Sequence, residues 1–209
     1  MPFDLWLTFA AASLALLLIP GPTVLLVLSY ALSKGRSVAV ASAAGVALGD
    51  LGAMSASLLG LGALVMASAT LFTVLKWIGA AYLIYMGVKL IRSAPSSGLV
   101  LPEAETITAG RVFGHTAAVT ALNPKSIAFF IAFVPQFIQP QAALLPQFNI
   151  LVVTFVTLAG LNAFAYALAA NRLRNIIKRP SIIAWITRAG GAALITMGVL
   201  TATIRRSTI

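Results

Sequence analysis

The chain has 209 residues, 60% of them hydrophobic and only 9% charged, with a mean hydropathy of +1.02 and a formal net charge of +10. About a quarter of the residues in an ordinary soluble domain are charged, so a soluble enzyme, a nucleic-acid-binding domain and a disordered chain are all excluded. One membrane span takes about 20 apolar residues, and this composition supplies about six spans and little else.

In chain order the apolar segments are Leu5–Leu32, Val38–Met66, Leu71–Ile91, Val112–Ile138, Leu144–Ala170 and Ile182–Ile204. The first follows Asp4 and no basic residue, so it reads as a membrane helix and not as a signal peptide, which needs a basic leader. The first segment is interrupted by Pro20-Gly21-Pro22 and the fourth by Asn123-Pro124-Lys125. Proline has no N–H to donate, so the carbonyls of Leu16, Leu18 and Thr120 lose their helical partners. Broken backbone at membrane depth is tolerated only inside protein or beside a water-filled cavity. There its free carbonyls attract cations and the next half-helix attracts anions.

The expected fold class is therefore all-α, a polytopic membrane protein of six transmembrane helices with helices 1 and 4 broken. Residues 1–209 form a single transporter domain whose halves, 1–93 and 111–209, are joined by a loop rich in Pro, Ser and small residues. GAAYLIYMGV, starting at Gly79, answers GGAALITMGV, starting at Gly190, with seven of ten positions identical at an offset of 111. The two proline breaks also correspond, as do Asp50 in the second helix and Asn162 in the fifth. Three helices per half make the second copy upside down, the arrangement of alternating-access carriers.

Basic residues flank the odd-numbered loops: Lys34 and Arg36, then Lys89, Arg92 and Arg111, then Arg172, Arg174, Lys178 and Arg179. The positive-inside rule makes these loops cytoplasmic and both termini external. Arg205 and Arg206 oppose that orientation, and a five-span chain with one re-entrant segment would accommodate them.

Asp50 is the one carboxylate within any predicted span. Asp at the bilayer centre costs about 2.5–3.5 kcal/mol, so it should face a cavity or a partner. It has three uses in view: binding a substrate ammonium, carrying a proton, or pairing with Lys125. Lys125 in turn would meet a substrate carboxylate or Asp50, unless its stem snorkels to the interface. His115 reads as an interfacial polar residue, with a proton relay the less favoured use. Ala41, Gly45, Gly49, Ala53 and Ser57 repeat every fourth place along the second helix, a stripe that admits a close helix neighbour. Intramolecular packing is the favoured use, and a contact in a homo-oligomer the other. Without cysteine there is no disulfide, thiolate site or dithiol chemistry.

Three stretches carry a family resemblance. They are Pro20-Gly21-Pro22 with Lys34-Gly35-Arg36; Lys76-Trp77-Ile78-Gly79-Ala80-Ala81-Tyr82-Leu83; and Asn123-Pro124-Lys125-Ser126-Ile127 running on to Pro135-Gln136-Phe137. In that order, over essentially the whole chain, they resemble the LysE/RhtB family of amino-acid exporters, closest to its homoserine, homoserine-lactone and threonine efflux branch. The family pattern carries over to Pro20, Gly21, Pro22, Gly45, Gly49, Asp50, Asn123, Pro124 and Lys125. The resemblance implies proton-coupled export of small neutral or basic amino acids, or their lactones, across the bacterial cytoplasmic membrane.

The expected pathway is lined by Pro20, Gly21, Pro22, Gly49, Asp50, Asn123, Pro124, Lys125 and Asn162. The expected partners are an amino acid, protons and the lipid bilayer, with no nucleic acid, cofactor or metal. A metal-ion exporter on the same scaffold is the alternative, although one intramembrane acid makes a poor cage. A membrane-embedded enzyme fits less well, because metal-dependent transfer needs clustered carboxylates and hydrolysis needs a base beside its nucleophile.

Overall fold

The computed structural model describes residues 1–19, 21–34, 36–93, 108–139, 142–177 and 179–203. Pro20, most of the connection between the halves, Lys178, Arg205 and Arg206 lie outside the described residues, as do the side chains of Lys34 and Arg36. Among the described residues there are eight α-helices, one 3-10 turn and no strand. The helices are α1 (Phe3–Leu18), α2 (Pro22–Lys34), α3 (Arg36–Ala67), α4 (Ala69–Arg92), α5 (Ala109–Ala121), α6 (Pro124–Ala132), α7 (Leu144–Ile177) and α8 (Pro180–Thr203), with the 3-10 turn Val134–Phe137 after α6.

Four segments are each long and apolar enough to cross a bilayer: Val38–Ala63, Thr73–Arg92, Leu144–Ala170 and Pro180–Thr203. The other two expected spans are bent pairs, α1 with α2 at 59° and α5 with α6 and its 3-10 turn at 45°. With each pair taken as one span, the chain crosses six times. Both breaks fall where the sequence places proline. Pro22 and Pro124 each open a half-helix at its first position, where the missing N–H has no helical carbonyl to serve.

Helices α4 and α8 pack antiparallel in a reciprocal, two-fold-like contact. A Cβ added to Gly87 would stand 2.5 Å from the Gly191 carbonyl oxygen, and one added to Gly198 would stand 2.8 Å from that of Ala80. Gly198 and Gly191 are the repeat counterparts of Gly87 and Ala80, so the same contact is made twice with the roles exchanged. Ile195 lies against Gly87 as Ile84 lies against Gly198. Rising numbers in α4 meet falling numbers in α8, so these two equivalent helices run in opposite senses. The shared motif is therefore a packing device: small residues let the backbones approach, as membrane helix interfaces require when lipid removes the hydrophobic drive between helices.

The stripe on α3 is used in the same way. Gly45 abuts Thr116 and Phe113 of α5, and a Cβ on Gly49 would stand 2.5 Å from the Ala117 carbonyl oxygen. A cluster of buried aromatic rings holds α1, α6 and α7 together. Phe9 of α1 meets Phe137 edge-on at 5.3 Å and stacks on Phe129 at 6.5 Å, while Phe130 meets Phe155 of α7 edge-on at 4.8 Å. Phe9, Phe129, Phe130 and Phe155 are wholly buried. This dry cluster ties the rings of α6 to α1 and α7, while the α6 backbone packs on α4, where Gly79 meets Ala132, and on α3.

Candidate functional site

At the end of α1, Ile19 N turns back to the Leu16 carbonyl oxygen (3.2 Å), and side chains from the second half of the chain donate to each carbonyl from Leu16 to Ile19, the stretch that a helix end leaves short of donors. Lys125 Nζ donates to the carbonyl oxygens of Leu16 (3.0 Å) and Ile19 (2.9 Å). Asn162 Nδ2 donates to Leu17 O (3.1 Å), and Tyr166 Oη donates to Leu18 O (3.2 Å). A helix C-terminus carries about half a negative charge, so an ammonium is the group best matched to it. Asn162 and Tyr166 lie four residues apart on one face of α7, in register with successive carbonyls.

The second break is closed mostly by its own residues. Asn123 Oδ1 accepts from Lys125 N (3.0 Å) and caps α6, while Leu122 N and Asn123 N turn back to the carbonyls of Ala118 and Thr120. Asn123 Nδ2 then crosses to Thr23 Oγ1 of α2 (3.2 Å), to which Thr120 Oγ1 also donates (3.4 Å). The two breaks thus meet face to face through Thr23, Thr120, Asn123 and Lys125.

Two cavities adjoin this junction. The inner one has a volume of about 30 Å³, and its wall includes Thr23, Asp50, Thr120, Asn123, Lys125, Ser126, Asn162 and Tyr166. That is room for about one water molecule. The larger, of about 250 Å³, is lined by Ile19, Gly21, Pro22, Pro124 and Leu194 together with Tyr82, Met86 and Lys89 from α4. Asn123 and Lys125 line both, so the Lys125 side chain stands at the partition.

Asp50 is 2% exposed, and its Oδ1 has no hydrogen-bond partner. A buried polar atom left in that state costs about 1–3 kcal/mol, more when charged, and such groups in native folds call for an explanation. Of the three uses in view for Asp50, direct contact with Lys125 is not the one formed: the ammonium donates to the α1 carbonyls instead. The snorkelling alternative for Lys125 fails too, since the residue is 9% exposed and its Nζ points into the protein.

Of the pathway residues expected from sequence, Asp50, Asn123, Lys125 and Asn162 share the inner cavity, and Gly21, Pro22 and Pro124 line the larger one. Pro20 is outside the described residues. Gly49 is not on either wall; its place is the α3–α5 contact, where its lack of a side chain lets α5 approach. Thr23, Thr120 and Tyr166 were not anticipated. The freed carbonyls were the available signal, since each demands a donor from elsewhere in the chain. His115 is exposed, with Nδ1 2.6 Å from Tyr30 Oη, away from both cavities.

The sequence matches the model of the LysE type translocator family over residues 14–204. The chain belongs to that family. The translocator is 36% identical to a homoserine/homoserine lactone efflux protein of Salmonella typhimurium, over 99% of this chain and all of the relative. It is 31% identical to an uncharacterized membrane protein of Vibrio cholerae, over 98% of this chain and all of the relative. A leucine efflux protein of Salmonella typhimurium is 29% identical over 65% of this chain and 64% of its own length. No solved structure matches the translocator. Family membership and the apolar helices agree on a membrane transport protein, and relatives carrying efflux names point away from an enzyme.

Proposed function

We propose that this translocator is a secondary exporter of small amino acids of the homoserine or threonine type, working by alternating access in exchange for protons across the bacterial cytoplasmic membrane. The observation that carries this reading is the junction of the two helix breaks. There a cationic side chain, a set of backbone carbonyls and a buried carboxylate with an unpartnered oxygen lie together in the middle of the bundle. A zwitterion needs both signs of charge at close range, and this junction supplies both. The antiparallel contact of α4 with α8 supports alternation, since an inverted pair has two related conformations that expose the junction to opposite sides. The efflux names of the relatives support the direction of transport and the substrate class.

Asp50 is the proton carrier in this scheme. It is the carboxylate at the junction, and loading a proton there removes the charge that holds a substrate ammonium. A metal cargo fits the same residues less well, because the groups around Asp50 are amides, hydroxyls and the Lys125 ammonium.

The test is release of amino acids into the medium from bacterial cells loaded with dipeptides, with and without the translocator. Faster appearance of homoserine, threonine or another small amino acid is expected. Asp50→Asn should abolish proton-coupled release, a loss of tenfold or more, while the protein still inserts. Unchanged release by Asp50→Asn would remove Asp50 from the mechanism. No release of any amino acid by the inserted wild type would overturn the exporter reading.

A further inference from the structure

Lys125 does two things at once. Its Nζ serves as the counter-charge to the end of α1, through Leu16 O and Ile19 O, and its side chain separates the larger cavity from the small one that holds Asp50. A primary ammonium on two carbonyls, near an unpartnered carboxylate oxygen, is also the environment that a substrate's α-ammonium would need. We infer that Lys125 is a tethered stand-in for that ammonium, and that an amino acid enters by exchanging places with it.

In the exchange the substrate's carboxylate, arriving through the larger cavity, draws the Lys125 ammonium away from α1. The substrate's own ammonium then takes over the carbonyls of Leu16 and Ile19 and the free oxygen of Asp50. No charge is left without a partner at either end. Gly21 permits the approach, since the nearest atom to a Cβ placed on it would be Lys125 Nζ at 3.6 Å, and without that carbon the ammonium is reachable from the cavity side. The larger cavity, at about 250 Å³, holds a small amino acid, whereas the inner one does not until Lys125 moves.

This rests on the exporter reading above and narrows it to substrates bearing both a free α-ammonium and a free α-carboxylate. A simple amine cannot draw Lys125 off, and an N-acylated amino acid cannot replace it. Homoserine lactone, which has no free carboxylate, becomes a poor substrate beside homoserine.

The experiment uses chemical complementation of the purified, full-length protein in detergent. Lys125→Ala removes three methylenes and the ammonium, which n-propylammonium restores; n-propanol restores the volume without the charge. The expected result is a lower unfolding midpoint for Lys125→Ala that rises by several degrees with n-propylammonium at tens of millimolar, little with n-propanol, and not at all for wild type. If Lys125→Ala does not fold, Lys125→Met keeps most of the apolar stem and frees only the Nζ position, and the comparison is ammonium chloride against sodium chloride at equal ionic strength. Equal responses to the charged and neutral probes, or to the two salts, would overturn the exchange. In parallel, cells are assayed for wild-type release of homoserine and of its lactone. Release of homoserine at least tenfold above the lactone is expected. Equal release overturns the exchange and leaves the exporter reading standing, whereas release of no amino acid removes the reading on which the exchange rests.

Discussion

The first and second helix breaks occupy equivalent places in the two halves, and both restart on a proline, yet they meet the same physical problem differently. At Asn123-Pro124 the capping amide is on the residue before the proline, and the Thr120 carbonyl freed by that proline is recovered by a local turn from Asn123 N. At Gly21-Pro22 the corresponding residue has no side chain; Ile19 N makes the same local turn to Leu16 O, but the carbonyls of Leu17, Leu18 and Ile19 take donors from Asn162, Tyr166 and Lys125 of the other half. A break that caps itself is a fixed structural element. A break whose caps are borrowed across the interface between repeats can change partners when those repeats move. Under the alternating access proposed above, this asymmetry would place the adaptable break in the first span and the fixed one in the second, although the sequence repeat treats them alike.

The largest effect expected from this comparison is at Lys125. Lys125→Met should leave the carbonyls of Leu16 and Ile19 without their charged donor in a region where water is scarce, a loss of about 2–5 kcal/mol. Denaturant unfolding in detergent micelles measures it. A loss below that of an ordinary surface substitution would mean that the first break does not depend on the second half. Asn162→Leu comes next, because it leaves only the Leu17 carbonyl unserved, and about 1–3 kcal/mol is expected. That variant should lose transport as well as stability, since Asn162 shares the cavity with Asp50.

The break in the second span should be more tolerant. Asn123→Ala removes a helix N-cap, which costs about 1 kcal/mol, together with the amide donor to Thr23. Asn123→Ser keeps an oxygen for the cap and loses the reach to Thr23. Recovery of stability in the serine variant without recovery of export would separate capping from the link between breaks. If serine recovers neither, the break is not self-capping in the sense proposed.

Much of this was legible in the sequence because it follows from composition and backbone chemistry. Apolar length located the spans, the missing proline N–H located the breaks, and the cost of burying Asp50 required a cavity around it. The Gly/Ala-rich repeat was visible as a repeat, but its use, the close packing of α4 on α8, came only with the structure. What the sequence withheld was the identity of the donors. The freed carbonyls of Leu16 and Leu18 are predictable, but which of several polar side chains reaches them depends on how the halves dock across more than 100 positions of chain. The same limit explains why Lys125 seemed an equal candidate for Asp50: charge favours that pair, whereas geometry gives the ammonium to two carbonyls. Gly49, beside Asp50 in the chain, shared its apparent importance, but a helix turns by about 100° per residue, which sends the neighbour to a different interface.

The smallest stability change is expected at Gly21, and it gives the sharpest separation of structure from transport. Its Cβ would meet Lys125 Nζ at 3.6 Å, an ordinary contact distance, with Lys125 Cε next at 3.8 Å. Gly21→Ala should therefore stay within about 0.5 kcal/mol of wild type, as substitutions without a clash usually do. The added methyl group nevertheless stands on the larger-cavity side of the ammonium, where the exchange proposed above brings the substrate carboxylate. Export by Gly21→Ala should fall several-fold at low substrate loading and recover toward wild type as loading rises, because access to Lys125 is narrowed while the remaining machinery is intact. A matched fall at all loadings would place Gly21 in the conformational step. An unchanged rate would show that the carboxylate approaches Lys125 from another direction, and the contrast between the breaks would then concern folding alone.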